Sequence, residues 1–202
     1  MKKELLVDYI PFIVTKEMIN ESISKNNGRL IVSGPLQRAN AFNQNKRKYP
    51  KNILLREVTK YQTFINEKRA LGELDHPDSP VVNLSNVSHN VLSTWWEGDT
   101  VMGKVEILDT PAGNILKKLL EAEIRLGISS RGMGSVSEVE GEEGAVQVGE
   151  DFELICWDFV SNPSTHGAFM KGINESVDVK EHAVCRNKVE CLIVDILTEL
   201  NR

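Results

Sequence analysis

The sequence predicts an α+β fold in which helices surround an antiparallel, barrel-like β core. Two observations support this prediction. Most apolar stretches are short, rich in Val, Ile and Leu, and bounded by turn residues, as is typical of strands joined by hairpins. Segments with apolar residues three and four positions apart, typical of helices, lie between these strands. This order favours an antiparallel barrel or sheet over the βαβ units of a parallel sheet.

The N-terminal third predicts two strands and two helices. Residues 5–14 and 29–36 have the composition of strands, and the second is expected to end in a Gly-Pro turn. A short helix is expected over residues 16–25. A longer helix is expected over residues 50–70, because its opening proline suits the first helical turn and its apolar residues recur at helical spacing.

The centre of the chain predicts a β-hairpin. Strands are expected over residues 87–95 and 101–108, with the Glu-Gly-Asp sequence at 97–99 as the turn between them. Residues 81–82, both valine, predict a further short strand. The hairpin is therefore expected to be part of the β core.

The remaining elements are two helices and one strand. Thr110 is a suitable N-cap before a proline, so a helix is expected over residues 111–126, with Gly127 as its C-terminal stop. A strand is expected over residues 152–160. Apolar residues at helical spacing predict an amphipathic C-terminal helix at about 188–200, with packing or self-association as its expected role.

Composition and charge exclude several classes of protein. The 202 residues are 41% hydrophobic and 26% charged, which indicates a soluble globular protein, and one domain over residues 1–202 is expected. The net charge is −5 and the densest basic cluster, at residues 46–48, is short, so nucleic acid is not an expected partner. No apolar run approaches the roughly 18 to 20 residues that span a bilayer, and a membrane partner is not expected either.

The cysteines and histidines do not predict a metal site. The three cysteines are odd in number and lack close pairs, which fits a reducing cytoplasm better than a disulfide framework. A metal-dependent hydrolase built on His76 and Asp78 would need histidines at helical metal-ligand spacing, and none occur. No metal and no cofactor are expected.

Two serines and one histidine are candidates for nucleophilic chemistry. Serine becomes a nucleophile only when a neighbouring base accepts its proton and fixed donors stabilise the oxyanion. Ser129 and Ser130 lie among glycines at a predicted helix-to-strand junction, where a substrate backbone could approach closely. His76 lies in a predicted loop before a strand. His89, in a polar strand-like stretch, is expected at the surface.

Four sequence blocks resemble the prohead core proteases of tailed bacteriophages. Three of them are LGELDHP, GISSRG and WDFVSNPS, at residues 71–77, 127–132 and 157–164, in the same order as in that family. The fourth, NQNKRKYP at residues 43–50, is similar to a stretch before the first helix of those proteases. The resemblance spans roughly residues 30–170. It implies an assemblin-like fold, as in the herpesvirus proteases, and a serine peptidase activity.

The resemblance also implies a set of catalytic roles. It makes His76 the general base and Ser129 the nucleophile, with Ser130 as the alternative nucleophile. Assemblins use a second histidine as third member, but the corresponding strand here has no histidine. An acid is therefore expected in its place, with Asp158 preferred and Glu153 as the alternative.

The oxyanion is expected to be stabilised by the loop after that strand. The resemblance places this loop near Ser161 and Asn162, whose backbone amides would be the donors. Arg131 is a further candidate, either for the oxyanion or for holding the loop, while an exposed salt bridge is its plainer interpretation.

The implied task is the cleavage of phage scaffold and capsid proteins, and of the protease itself, inside the immature head in the host cytoplasm. Related proteases cut after a glutamate that follows Leu or Ile by two positions. Glu199 fits this preference and lies in the C-terminal helix, which makes it the expected self-cleavage site. The alternative function is a catalytically inactive scaffold or capsid-assembly protein with the same fold.

Overall fold

The computed structural model describes residues 4–12 and 15–161 of the chain. Within these residues lie three α-helices and ten strands. The helices are α1 (Lys16–Lys25), α2 (Lys51–Asn66) and α3 (Pro111–Glu121). The strands are β1 (Glu4–Phe12), β2 (Leu30–Arg38), β3 (Arg47–Lys48), β4 (Leu71–Glu73), β5 (Val87–Glu97), β6 (Thr100–Ile107), β7 (Leu126–Gly134), β8 (Val136–Glu138), β9 (Val146–Val148) and β10 (Glu153–Val160).

The strands form three sheets, with the orders β1-β7-β10, β2-β6-β5-β4 and β3-β9-β8. All pairs in the two larger sheets are antiparallel, and an isolated parallel bridge between Leu74 and Phe159 joins these sheets. The α+β class is therefore confirmed.

The predicted barrel is not closed within the described residues. Strand β1 lies beside β2, but no ladder of hydrogen bonds connects them. Pro11 in β1 and Pro35 in β2 each lack a backbone N–H, and proline is characteristic of sheet edges for that reason. The β core thus consists of two sheets that the Leu74–Phe159 bridge joins at one edge.

Helix α2 packs against β5 and β10 and ends earlier than predicted. It begins after Pro50, as expected, and its buried face includes Leu54 and Tyr61. It stops at Asn66 because Lys68 takes a left-handed backbone conformation with φ 55°. Ala70, expected at the helix end, is instead buried beside the start of β4.

Helix α3 also ends earlier than predicted, and this changes the setting of the candidate serines. Thr110 caps it as expected, since its Oγ1 accepts a hydrogen bond from the Gly113 N–H at 3.0 Å. The helix ends at Glu121, and Glu123 turns the chain with φ 57°. Residues 126–134 then form β7, which is paired on both edges. Ser129 therefore lies in the middle of a central strand, not at a helix-to-strand junction.

The central hairpin is confirmed, with Gly98 at φ 60° in the turn between β5 and β6. The short strand predicted at residues 81–82 is wrong. Val81 is 70% exposed and lies in the loop that leads to a 3-10 turn at Leu84–Asn86. An exposed valine there has no neighbouring strand to pair with.

The C-terminal helix expected at about 188–200, and the single-domain extent over residues 1–202, involve residues outside those described.

Candidate active site

Strand pairing separates the two candidate nucleophiles. In the antiparallel β7–β10 pair, Ser129 is opposite Asp158, and Ser130 is opposite Trp157. Residues directly opposite each other share a face of the sheet, and successive residues of a strand alternate between faces. Ser129 therefore shares a face with Asp158, whereas Ser130 shares the other face with the fully buried Trp157 of the hydrophobic core.

A bulge in β10 sets this register. Leu154 pairs with Gly132 and Cys156 with Arg131, so one extra residue is accommodated on β10 between them. Without it, every later residue of β10 would move by one position and Asp158 would point to the opposite face. Helix α2 holds the bulge, since Glu57 Oε2 accepts a hydrogen bond from the Leu154 N–H at 3.1 Å.

The loop after β4 directs His76 toward Asp158. Asp75 has a left-handed backbone with φ 65°, a conformation that Asp and Asn tolerate better than most residues, and its N–H donates to the Phe159 carbonyl at 2.7 Å. His76 Nδ1 then lies 2.9 Å from Asp158 Oδ2. Since an ionised carboxylate only accepts hydrogen bonds, Nδ1 carries the proton and Nε2 is left as the basic nitrogen.

The Asp158 carboxylate is fully buried and remains ionised. Its Oδ1 accepts a hydrogen bond from the Glu73 N–H at 2.9 Å, and Arg131 Nε lies 3.0 Å from its Oδ2. Burial acts to raise the pKa of Asp158, but the hydrogen bond from His76, the Arg131 charge and the Glu73 N–H outweigh it, so the pKa lies below its ordinary value. The Asp158 side chain therefore faces the interior of the protein and not solvent.

The reactive atoms of the candidate nucleophile and the candidate base lack hydrogen-bond partners among the described residues. Ser129 Oγ and His76 Nε2 are both buried, and neither bonds to another group or to each other. In a serine protease these atoms exchange a proton, and such contacts often tighten only when substrate binds. Two buried polar atoms without partners are costly in a folded protein, which is typical of sites kept for function.

The other predicted site residues are Glu153, Ser161, Asn162, Glu199 and Arg131. Glu153 is exposed at the far end of β10, opposite Met133 and beyond the bulge from Asp158. Ser161 follows β10 directly and is exposed, while Asn162 and Glu199 lie outside the described residues. Arg131 is fully buried, so the exposed salt bridge considered for it is wrong.

His89 is a buried residue that the sequence analysis placed at the surface. Its Nε2 donates to the Trp157 carbonyl at 2.9 Å, and its Nδ1 accepts from Ser88 Oγ at the same distance. Gly72 makes room for this contact, because a Cβ there would overlap both the His89 ring and the Trp157 carbonyl. The sequence contained a pattern that predicts this burial. Val87 and Val91 lie two residues before and after His89, and all three side chains share one buried face of β5.

His89 is expected to make the protein less stable in mild acid. Burial lowers its pKa to about 4 from an ordinary 6.5, while the charge of Asp158 opposes the shift. Between these values the unfolded chain binds more protons than the native one, so stability falls as the pH drops through this window. The loss from this group should be about 2 kcal/mol between pH 6.5 and pH 5. Urea unfolding of the wild type and of His89→Gln between pH 6.5 and pH 5 measures this loss. If the free energy of unfolding falls equally with pH in both proteins, the lowered pKa of His89 is contradicted.

Comparisons with known proteins show to which family the chain belongs. Residues 3–178 match the family model described as prohead core protein serine protease. The prohead core protein protease of Enterobacteria phage T4 is 36% identical over 156 residues, which cover 73% of this chain and 71% of that protein. The solved structure of the bacteriophage T4 capsid assembly protease, gp21, superposes with a TM-score of 0.70 at 27% identity, over 81% of this chain and all of that one.

The chain is therefore a serine protease, and it belongs to the family of prohead core serine proteases that act in capsid assembly. The alternative of an inactive scaffold protein is not supported. Among the described residues, no helix is long and apolar enough to cross a membrane. The same part of the chain contains no group of three metal-ligating side chains.

Proposed function

We propose that this protease cleaves phage scaffold and capsid proteins, and itself, inside the prohead, with Ser129 as nucleophile, His76 as base and Asp158 as the orienting acid. The observation that supports these roles best is the pairing of Asp158 with Ser129 across β7 and β10, together with the 2.9 Å contact between Asp158 and His76. The serine that shares the face of the His–Asp pair is Ser129.

In the proposed reaction, His76 Nε2 accepts the Ser129 hydroxyl proton as Oγ attacks the substrate carbonyl. Asp158 fixes the tautomer of His76 through Nδ1–H and stabilises the imidazolium that forms. The same imidazolium then protonates the leaving amine. Backbone amides near Ser161 and Asn162 are the proposed oxyanion donors. We assign Arg131 no oxyanion contact, because its guanidinium bonds to the Ser79 carbonyl and to the Glu73 and Asp158 carboxylates.

Self-cleavage is expected at Glu199 before any internal Leu-X-Glu site. Three other Leu-X-Glu sequences end at Glu57, Glu73 and Glu121. Glu57 is buried in α2 and Glu73 is buried in β4, while Glu121 ends α3, so a protease would have to unfold these elements locally before cutting. In general, segments near chain termini unfold locally at lower cost than internal helices and strands.

Intact-mass spectrometry tests this proposal. Purified wild-type protein should lose residues 200–202 at a time when an added Leu-X-Glu peptide is also cleaved after Glu. The Ser129→Ala variant, incubated in parallel, should stay full length. Wild-type protein that cleaves the peptide but keeps its own terminus would overturn the Glu199 assignment. Equal trimming of both proteins would point to a contaminating protease and also overturn it.

A further inference from the structure

Arg131 is a fully buried charged residue next to the proposed catalytic residues, and its contacts are not those of an oxyanion donor. Its Nη2 donates to Glu73 Oε1 at 2.7 Å and to Asp158 Oδ1 at 3.3 Å, while its Nη1 donates to the Ser79 carbonyl at 2.8 Å. Cys156 Sγ accepts from Nε and Nη2 at 3.3 and 3.2 Å. The guanidinium thus contacts β4, β10 and the loop after His76 at once.

We propose that Arg131 is a positioning residue for peptide-bond cleavage, which fixes the Asp158 carboxylate and the loop that carries His76, and which acts with Glu73 to set the pH range of activity. This proposal rests on the catalytic roles proposed above for His76 and Asp158. It assigns Arg131 no contact with substrate.

The geometry supports the orienting part of this role. Both Asp158 oxygens have an Arg131 nitrogen within 3.3 Å, so the planar guanidinium fixes the rotation of the carboxylate as well as its charge. The Ser79 carbonyl lies three residues beyond His76, so the same side chain also restrains the end of the histidine loop. A buried cation of this kind is costly unless it is fully paired, and here Glu73 and Asp158 provide two carboxylates.

The charges around the His76–Asp158 pair support the pH part. The titratable groups that face it from each packed element are Tyr61 from α2, Glu73 from β4, His89 from β5, Arg131 from β7 and Cys156 from β10. Asp75 and Asp78 of the histidine loop itself are exposed. Burial raises the pKa of Tyr61 and of Cys156 and lowers that of His89, so these three groups are neutral. Arg131 therefore opposes two buried carboxylates, Glu73 and Asp158.

Substitutions of Arg131 and Glu73 are expected to move the pH profile in opposite directions. Arg131→Met removes a positive charge beside the His76–Asp158 pair, so the acid limb of kcat/KM should move to higher pH. Glu73→Gln removes a negative charge and should move that limb to lower pH. Arg131→Lys keeps the charge without the planar fork, so kcat should fall while the limb stays in place. A purely structural role would not produce opposite shifts.

The decisive measurements are pH profiles and a double-mutant cycle on a peptide that the wild-type enzyme cleaves. Arg131→Met should lower kcat about 100-fold with little change in KM, as expected for a misplaced catalytic group. In a protein that already carries Asp158→Asn, Arg131→Met should lower kcat much less, because Arg131 acts by positioning Asp158. Full additivity, or an unchanged kcat in a folded Arg131→Met protein, would overturn the proposal.

Two controls separate this inference from the proposed function. If Arg131→Met does not fold, the isosteric Glu73→Gln variant tests the proposal instead. An acid limb of kcat/KM that stays in place or moves to higher pH in Glu73→Gln overturns the proposal. If His76→Ala and Asp158→Asn keep full activity, the proposed catalytic roles fail, and this inference fails with them. If those two variants lose activity while Arg131→Met behaves as the wild type, only the role of Arg131 is overturned.

Discussion

Ser129→Ala is expected to abolish peptide-bond cleavage, with a loss in kcat on the order of 10⁴- to 10⁶-fold, because the nucleophile and its base act as one unit. Ser130→Ala is the matched control, since it removes the same hydroxyl from the neighbouring residue. Ser130 faces Trp157 on the core side of β7, and its Oγ has no hydrogen-bond partner among the described residues. It should therefore keep the kcat of the wild type.

Chemical labelling gives an independent measurement of the same prediction. A serine-directed fluorophosphonate should add its mass to the tryptic peptide at residues 126–131, which contains both serines. Fragment ions then place the adduct on Ser129 or Ser130. Labelling of Ser130, or an active Ser129→Ala variant together with an inactive Ser130→Ala variant, would move the nucleophile to Ser130.

Both variants should fold. Removing a buried hydroxyl that has no partner leaves no new unsatisfied group, so the change in free energy of unfolding should stay within about 1 kcal/mol. Thermal unfolding of Ser129→Ala, Ser130→Ala and wild type, measured side by side, checks this. A large drop in Tm for Ser129→Ala alone would mean that its inactivity reflects misfolding.

The structure brings the three catalytic candidates close to one another, but the structural setting predicted for Ser129 was wrong. The blocks around His76, Ser129 and Asp158 were identified by resemblance, and each of these three residues lies in or beside the central β7–β10 pair. The setting of Ser129 was wrong because Gly127 was interpreted as a helix stop. Residues 126–134 form a strand because β1 and β10 pair with both of its edges, and such long-range pairing leaves no local signal.

The wrong predictions from sequence concern mainly polar residues that are buried in the structure. Arg131 was expected either at the oxyanion or in an exposed salt bridge, and His89 at the surface, yet both are fully buried. Hydrophobicity alone places such residues outside, because burying them is costly unless partners are present. Their partners, Glu73 for Arg131 and the Trp157 carbonyl for His89, are far away in sequence and meet them only in the folded chain.

The bulge in β10 explains why the choice between Asp158 and Glu153 was open from sequence. Both acids lie on the same strand, and simple alternation cannot be counted across an inserted residue. The bulge between Leu154 and Cys156 changes the facing of every residue that follows, and Glu57 of α2 helps to hold it. The orientation of Asp158 therefore depends on a helix about one hundred residues earlier in the chain.

His76→Ala should abolish cleavage to nearly the same extent as Ser129→Ala, whereas Asp158→Asn should cost less, on the order of 10⁴-fold in kcat. The difference follows from their roles, since His76 transfers the proton and Asp158 only orients and stabilises the ring. An asparagine that presents its NH₂ group to Nδ1 would favour the His76 tautomer whose proton is on Nε2, and that nitrogen could no longer accept the Ser129 proton.

Steady-state kinetics of the three variants on one peptide substrate measure this order, with Glu153→Gln as the matched control for loss of a carboxylate from the same strand. Glu153 is exposed beyond the bulge, so its substitution should leave kcat close to that of the wild type. An Asp158→Asn protein with wild-type kcat, together with a large loss in Glu153→Gln, would transfer the acid role to Glu153. Because Asp158 also accepts hydrogen bonds from Glu73 and Arg131, thermal unfolding must accompany the kinetics, and kcat is compared only at temperatures where all variants are folded.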